Sequence, residues 1–220
     1  MPKTKPEKKE ERLKRYFEIQ EIRAIEPTDD EPEGIIEGLA IPYEVKTNVG
    51  GWFEEIIKRG ALDGADLKDV PLFIHHQGRT IPLARSRNNN ANSTMQLIVD
   101  DRGLSFRAKL DIENNAEAKA LYSAVKRQDI TGMSFAFSVK EEKWYNLDTD
   151  LPTREIHKFN KIYEISALWS PQYEETNIMA RDEALDSADK LALENARSRE
   201  LESSNELEAL KLKAQILMKY

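Results

Sequence analysis

The sequence predicts a mainly β domain of the α+β class: an antiparallel, barrel-like or sandwich-like sheet flanked by one or two helices, followed by a helical tail. Three observations carry that expectation. Short apolar stretches of strand length recur between turn signals from residue 34 to 169. Within the segment 130–139, residues 132–139 alternate large and small, and beyond residue 182 the chain turns to helix formers. With 220 residues it is long enough for one domain with its own core and attached arms.

In chain order, residues 2–15 carry seven basic side chains (Lys3, Lys5, Lys8, Lys9, Arg12, Lys14, Arg15) against three acids and almost nothing to bury. This reads as a basic, solvated arm over residues 1–15. A two-faced strand is predicted over 16–23, closed by the turn-rich Pro27-Thr28-Asp29-Asp30-Glu31-Pro32. A second strand is predicted over 34–43 and a short one over 52–57, before a loop and helical turn at Arg59-Gly60-Ala61-Leu62. Pro71-Leu72-Phe73-Ile74-His75-His76 is an apolar strand closed by two histidines. Strands over 81–85, 95–99 and 104–110 follow, the last two joined by the hairpin turn Asp100-Asp101-Arg102-Gly103. Asn114 or Asn115 caps a helix with Ala116, Ala120, Leu121, Ala124 and Val125 on one stripe.

After the strand over 130–139, residues 155–159 pair back across a polar loop, and 162–169 form one more strand. The domain is expected to span residues 16–181, with a charged helical tail over 182–220. Ser203-Ser204-Asn205-Glu206 predicts a break and recap within that tail, because Ser and Asn accept the free amides of a new helix start. Leu207, Leu210, Ala214 and Leu217 then fit a docking or pairing helix, or a loosely ordered one.

Composition removes several classes of function. A net charge of -7 argues against binding that rests on phosphate neutralisation, so no specific nucleic-acid contact is expected. The absence of cysteine excludes disulfides and thiolate sites. No apolar run reaches a membrane span and no signal-peptide core is present, which points to a protein used inside the cell. The histidines are His75, His76 and His157; without cysteine or helical His spacing, neither a zinc site nor another cofactor is expected.

In the alternating strand Met133, Phe135, Phe137 and Val139 share one face, and Gly132, Ser134, Ala136 and Ser138 the other. The second face is bare enough for a peptide to lie against it. Ser134 sits in its middle, either as a hydroxyl on a solvent-facing side or as a nucleophile in a groove. A serine needs a base to take its proton and a third group to hold that base. A histidine at a strand end is either a surface residue or that base. Glu164, facing the same way as Ser166, is an available carboxylate, though spacing alone does not assemble these groups.

Five segments together resemble one family. Glu55-Ile56-Ile57-Lys58-Arg59-Gly60-Ala61-Leu62 is similar to a Glu-x-Ile-x-x-Gly-Ala-Phe segment. Pro71-Leu72-Phe73-Ile74-His75-His76-Gln77 resembles an apolar run ending Asn-His-Asp. Asp101-Arg102-Gly103-Leu104 matches its hairpin, and Gly132-Met133-Ser134-Phe135-Ala136-Phe137 its Gly-Met-Ser-Phe-x-Phe strand. Ile162-Tyr163-Glu164-Ile165-Ser166, followed by Pro171-Gln172-Tyr173, resembles its Tyr-Glu-Val-Ser strand and Pro-Ala-Tyr sequel. In this order, over residues 34–181, they resemble the tailed-bacteriophage prohead proteases, serine endopeptidases of capsid maturation akin to the herpesvirus assemblins.

The resemblance implies an assemblin-like fold and a catalytic set of Ser134, His76 and Glu164, with backbone amides holding the oxyanion. His75 and Gln77 stand where the family usually has Asn and Asp, so His75 is the alternative base. His157, 23 residues beyond Ser134, is the alternative third member, because assemblins use a second histidine. The implied substrates are the scaffold and the amino-terminal segment of the major capsid protein, with the protease itself as a further target. The implied place is the assembling procapsid in the host cytoplasm, with self-association or docking through the charged arms. A non-catalytic assembly module on the same fold is the rival reading. A small-molecule hydrolase is weaker, since no Gly-x-Ser-x-Gly elbow is present.

Overall fold

A computed structural model of the chain describes residues 13–17, 21–29, 32–76, 80–169 and 183–217. Most of the basic arm, Gln77 and Pro171-Gln172-Tyr173 lie outside the described residues. The elements in order are β1 (Leu13–Phe17), β2 (Arg23–Ile25), β3 (Gly34–Pro42), β4 (Lys46–Val49), β5 (Phe53–Ile57), β6 (Asp69–Ile74), β7 (Ala84–Arg87), β8 (Met95–Asp100), β9 (Gly103–Leu110), α1 (Ala116–Lys126), β10 (Gly132–Tyr145), β11 (Thr153–Leu168) and α2 (Glu183–Leu217).

Two sheets result. One has four antiparallel strands in the order β2-β3-β9-β8. Its β8–β9 hairpin turns through Gly103, whose φ of 141° and close approach to the Ile41 carbonyl leave no room for a Cβ. The other follows the path β1-β10-β11-β5-β4, with β6 on β11 and β7 on β6. The long β11 pairs antiparallel with β10 along its length and is parallel to β5 and β6 on its other edge. The expectation of a purely antiparallel sheet is therefore corrected to a mixed one, and among the described residues neither sheet closes into a barrel. Alternation marks a strand but says nothing of its neighbours' direction, which the connections around β5 and β6 decide.

The two sheets share one core. Phe135, Phe137 and Phe159 meet with ring centroids 5.0 to 6.0 Å apart, and Met95, Leu104, Phe106 and Ile36 pack in the same cluster. Each such side chain contributes roughly 1.5–3 kcal/mol through burial. Asn115 caps α1 by accepting from the backbone N–H groups of Glu117 and Ala118, and Leu121, Tyr122 and Val125 turn its apolar stripe inward.

Several elements differ from expectation. The strands read separately over 155–159 and 162–169 are one, β11, because the polar residues between them lie on its half-exposed positions. β4 was not expected; its Lys46-Thr47-Asn48-Val49 carries no apolar alternation and is held by backbone pairing to β5. The predicted break at Ser203–Glu206 does not occur, and α2 runs through it. All four residues are solvent-exposed, where Ser and Asn cost only a few tenths of a kcal/mol against the strong helix formers around them. α2 docks by Leu193 and Ala196 against Phe53 and Leu147, while Arg197 Nε donates to the Leu147 carbonyl at 3.1 Å.

Candidate active site

Strands β6, β10 and β11 lie side by side, and one face of them carries the polar residues that the apolar core face excludes. Ser134 on β10 stands opposite Ser166 on β11, and Ala136 opposite Glu164. Ser166 is in turn level with Phe73 on β6. Since side chains two apart on a strand share a face, Glu164 and Ser166 point to the same side as Ser134. The small-residue face expected to be bare is covered: Ser134, Ser166 and Glu164 are only 1%, 0% and 3% exposed. Ser134 is thus no solvent-side hydroxyl.

His76 reaches this face because the chain leaves β6 abruptly. His75 and His76 have φ of 49° and 56°, two successive left-handed residues that are not glycine. Each costs on the order of 1–2 kcal/mol, and such strain persists only where the surroundings impose it. The His75 N–H donates to the Ala167 carbonyl at 3.2 Å, which pins the turn to β11. The histidines consequently do not alternate across a strand as their position in the sequence predicts.

His76 then lies between two partners. Its Nδ1 is 2.7 Å from Glu164 Oε1 and its Nε2 is 2.5 Å from Ser134 Oγ. Ser166 Oγ is 3.4 Å from the same Nδ1. A carboxylate accepts only, so Nδ1 carries a proton and Glu164 fixes the ring's orientation. A serine, an imidazole and a buried carboxylate in line can move a proton from oxygen to nitrogen without solvent.

The other candidates sit elsewhere. His75 is exposed and faces Trp169 edge-on at 6.5 Å; partial burial, and then the neighbouring His76, hold its pKa below the ordinary value. His157 bonds Glu155 Oε2 at 3.0 Å on its own strand. Among the described residues no cluster of three or more metal-ligating side chains occurs.

Residues 19–191 match the family model of the caudovirus prohead serine proteases. The chain belongs to that family. Among solved structures, the bacteriophage T4 capsid assembly protease, gp21, is similar at 15% identity and a TM-score of 0.40, over 73% of this chain and 99% of that one. No curated protein matches. By that family membership the chain is a phage prohead serine protease.

Two features of this protease escaped sequence reasoning. Ser134 Oγ also contacts the backbone carbonyl of Arg15 on β1, at 2.5 Å. And a second buried polar cluster joins Arg15 of β1, Glu55 of β5, Arg154 of β11 and Asp189 of α2. Neither left a signal, because both join residues far apart in the chain that no motif links.

Proposed function

We propose that the protease cleaves peptide bonds with Ser134 as nucleophile, His76 as general base and acid, and Glu164 as the group that orients His76. What supports the reading is the single fact that His76 bonds Ser134 through Nε2 and Glu164 through Nδ1. In this reaction Ser134 Oγ attacks the carbonyl carbon as its proton passes to Nε2. The leaving amine then takes that proton, and a water activated by His76 releases the acyl group. Glu164 holds the Nδ1–H and offsets the positive charge that the ring gains. A substrate strand adding to the sheet edge presents its carbonyl to the serine by main-chain pairing.

The substrates in this reading are the scaffold and the amino-terminal segment of the major capsid protein, cut within the procapsid in the host cytoplasm, with the protease's own arms as further targets. The catalytic domain spans residues 16–181 between a basic arm and a helical tail that docks to capsid or scaffold subunits. The fold in this reading is of the assemblin-like kind.

Co-expression with the capsid protein tests the proposal. Truncated capsid is expected with the wild-type protease and intact capsid with Ser134→Ala. Identical intact bands in assembled particles would overturn it.

A further inference from the structure

Among the described residues β1 is the outermost strand of its sheet, paired there with β10 alone. The pairing sets Arg15 against Phe135 and Tyr16 against Ser134. Take β1 away and β10 becomes an edge whose free N–H and C=O groups flank the nucleophile. An extended peptide joins a sheet at such an edge. β1 also falls outside the span that matches the family, which begins at residue 19. It lies against Ser134, which is 1% exposed and bonds the Arg15 carbonyl.

The hydrogen bonds at Ser134 are those of a stopped site. Its hydroxyl has one proton, and the Arg15 carbonyl can only accept it. With the ring proton on Nδ1, His76 Nε2 can also only accept, so the Arg15 carbonyl competes with the general base for the one hydroxyl proton. When β1 departs, the hydroxyl proton is free to turn to Nε2.

The side chain of Arg15 is held as a recognised ligand would be. Its Nε and Nη2 donate to the two oxygens of Glu55 at 2.6 and 2.9 Å. Its Nη1 and Nη2 donate to the two oxygens of Asp189 on α2 at 3.0 and 2.8 Å. The rings of Phe53 and Phe137 lie 5.8 and 5.5 Å from the guanidinium carbon. Burial alone would lower the Arg15 pKa, but the two carboxylates outweigh it and hold it above the ordinary value. Two bidentate carboxylates with aromatic walls fit the planar fork of arginine and not the point charge of lysine.

We infer that β1 occupies the enzyme's own substrate position, so that the site takes an extended peptide with arginine in the Glu55–Asp189 socket and stays shut until β1 leaves. The inference rests on the catalytic roles proposed above. In an incoming substrate, Ser134 Oγ bonds to the arginine's carbonyl carbon and the following C–N bond breaks. The amine leaves with the proton from His76, and water then frees the arginine as a carboxylate.

The test is labelling of Ser134 in the full chain by a fluorophosphonate, in wild type, Arg15→Ala and Lys14→Pro. The proline breaks the β1–β10 pairing and leaves every ion pair of the socket chemically intact, so it carries the test if Arg15→Ala fails to fold. Both variants are expected to label at least about ten-fold faster than wild type, the measure of a displaced strand worth 1.4 kcal/mol or more. A synthetic peptide copying residues 9–20 should suppress labelling of the variants, and the same peptide with alanine at the position of Arg15 should not.

Equal, brisk labelling of all three proteins leaves the catalytic roles standing and overturns this inference. Variants as inert as Ser134→Ala overturn the catalytic roles themselves. Equal suppression by the two peptides overturns the arginine socket.

Discussion

Two buried polar clusters are built around the β10–β11 pair and they do different things with the same kinds of atom. At one end His76 links Ser134 to Glu164 through two short hydrogen bonds. Toward the other, Arg15 and Arg154 share Glu55, at 2.6 and 3.2 Å, and reach out to Asp189 and Glu142. Both are desolvated: Arg15, Glu55 and Arg154 are 5%, 1% and 2% exposed. The difference lies in the proton. A guanidinium does not release one, so the second cluster holds and pairs charge but moves no proton. An imidazole between a hydroxyl and a carboxylate can pass one along, and so the first can do chemistry. Burial of charge alone therefore identifies neither; the capacity to exchange a proton separates them.

The comparison can be broken by substitution at either end. The largest effect belongs to Ser134→Ala, which should lower capsid processing by on the order of a million-fold while circular dichroism stays unchanged. Glu164→Gln, which presents the wrong partner to Nδ1, should cost about ten-thousand-fold in turnover on a peptide substrate, with the melting temperature little altered. At the other cluster Glu55→Ala should act on stability. It removes the buried carboxylate that Arg15 and Arg154 share, leaving each with one partner, and should cost about 3 kcal/mol in urea unfolding.

Asp189 sharpens the contrast by pH. Burial raises its pKa above the ordinary 3.8, with the charge of Arg15 pulling the other way. A raised carboxyl binds its proton more tightly in the folded state. Its contribution is complete below the unfolded value and is lost as pH rises through the folded one. Urea midpoints of the wild type should therefore fall relative to Asp189→Asn as pH is raised from below 3.8 through that range. The smallest effect is expected at His157, whose replacement by alanine should leave processing unchanged, since its bond is to Glu155.

Much of the β framework was legible because it follows from local pattern. The alternation of Met133, Phe135 and Phe137 marks the core face of β10, and Asp101-Arg102-Gly103 marks a turn that only glycine completes. Asn115 announces the start of α1 through its side-chain oxygen. Ser134, His76 and Glu164 were singled out through motif order, since periodicity gave no reason to bring them together. What stayed hidden depends on three-dimensional pairing. Nothing in Lys46-Thr47-Asn48-Val49 signals β4, because its hydrogen bonds come from β5. Nothing near Arg15 signals a socket whose walls come from Glu55 and Asp189, 40 and 174 residues away. The left-handed turn at His75-His76 was equally silent, as neither residue type asks for a positive φ.

The spread of these contacts along the chain has a consequence for when the protein becomes dangerous to its maker. His76 and Ser134 are 58 residues apart, and His76 and Glu164 are 88 apart. β11 is the central strand on which both β6 and β10 are laid. A ribosome that has released only the first hundred-odd residues has released no working site, and contacts of such long range also form slowly. β1 emerges early but must wait 119 residues for the serine it covers. Under the roles proposed above, synthesis delivers β1 before Ser134, so each new copy can meet its own β1 before it meets any other polypeptide.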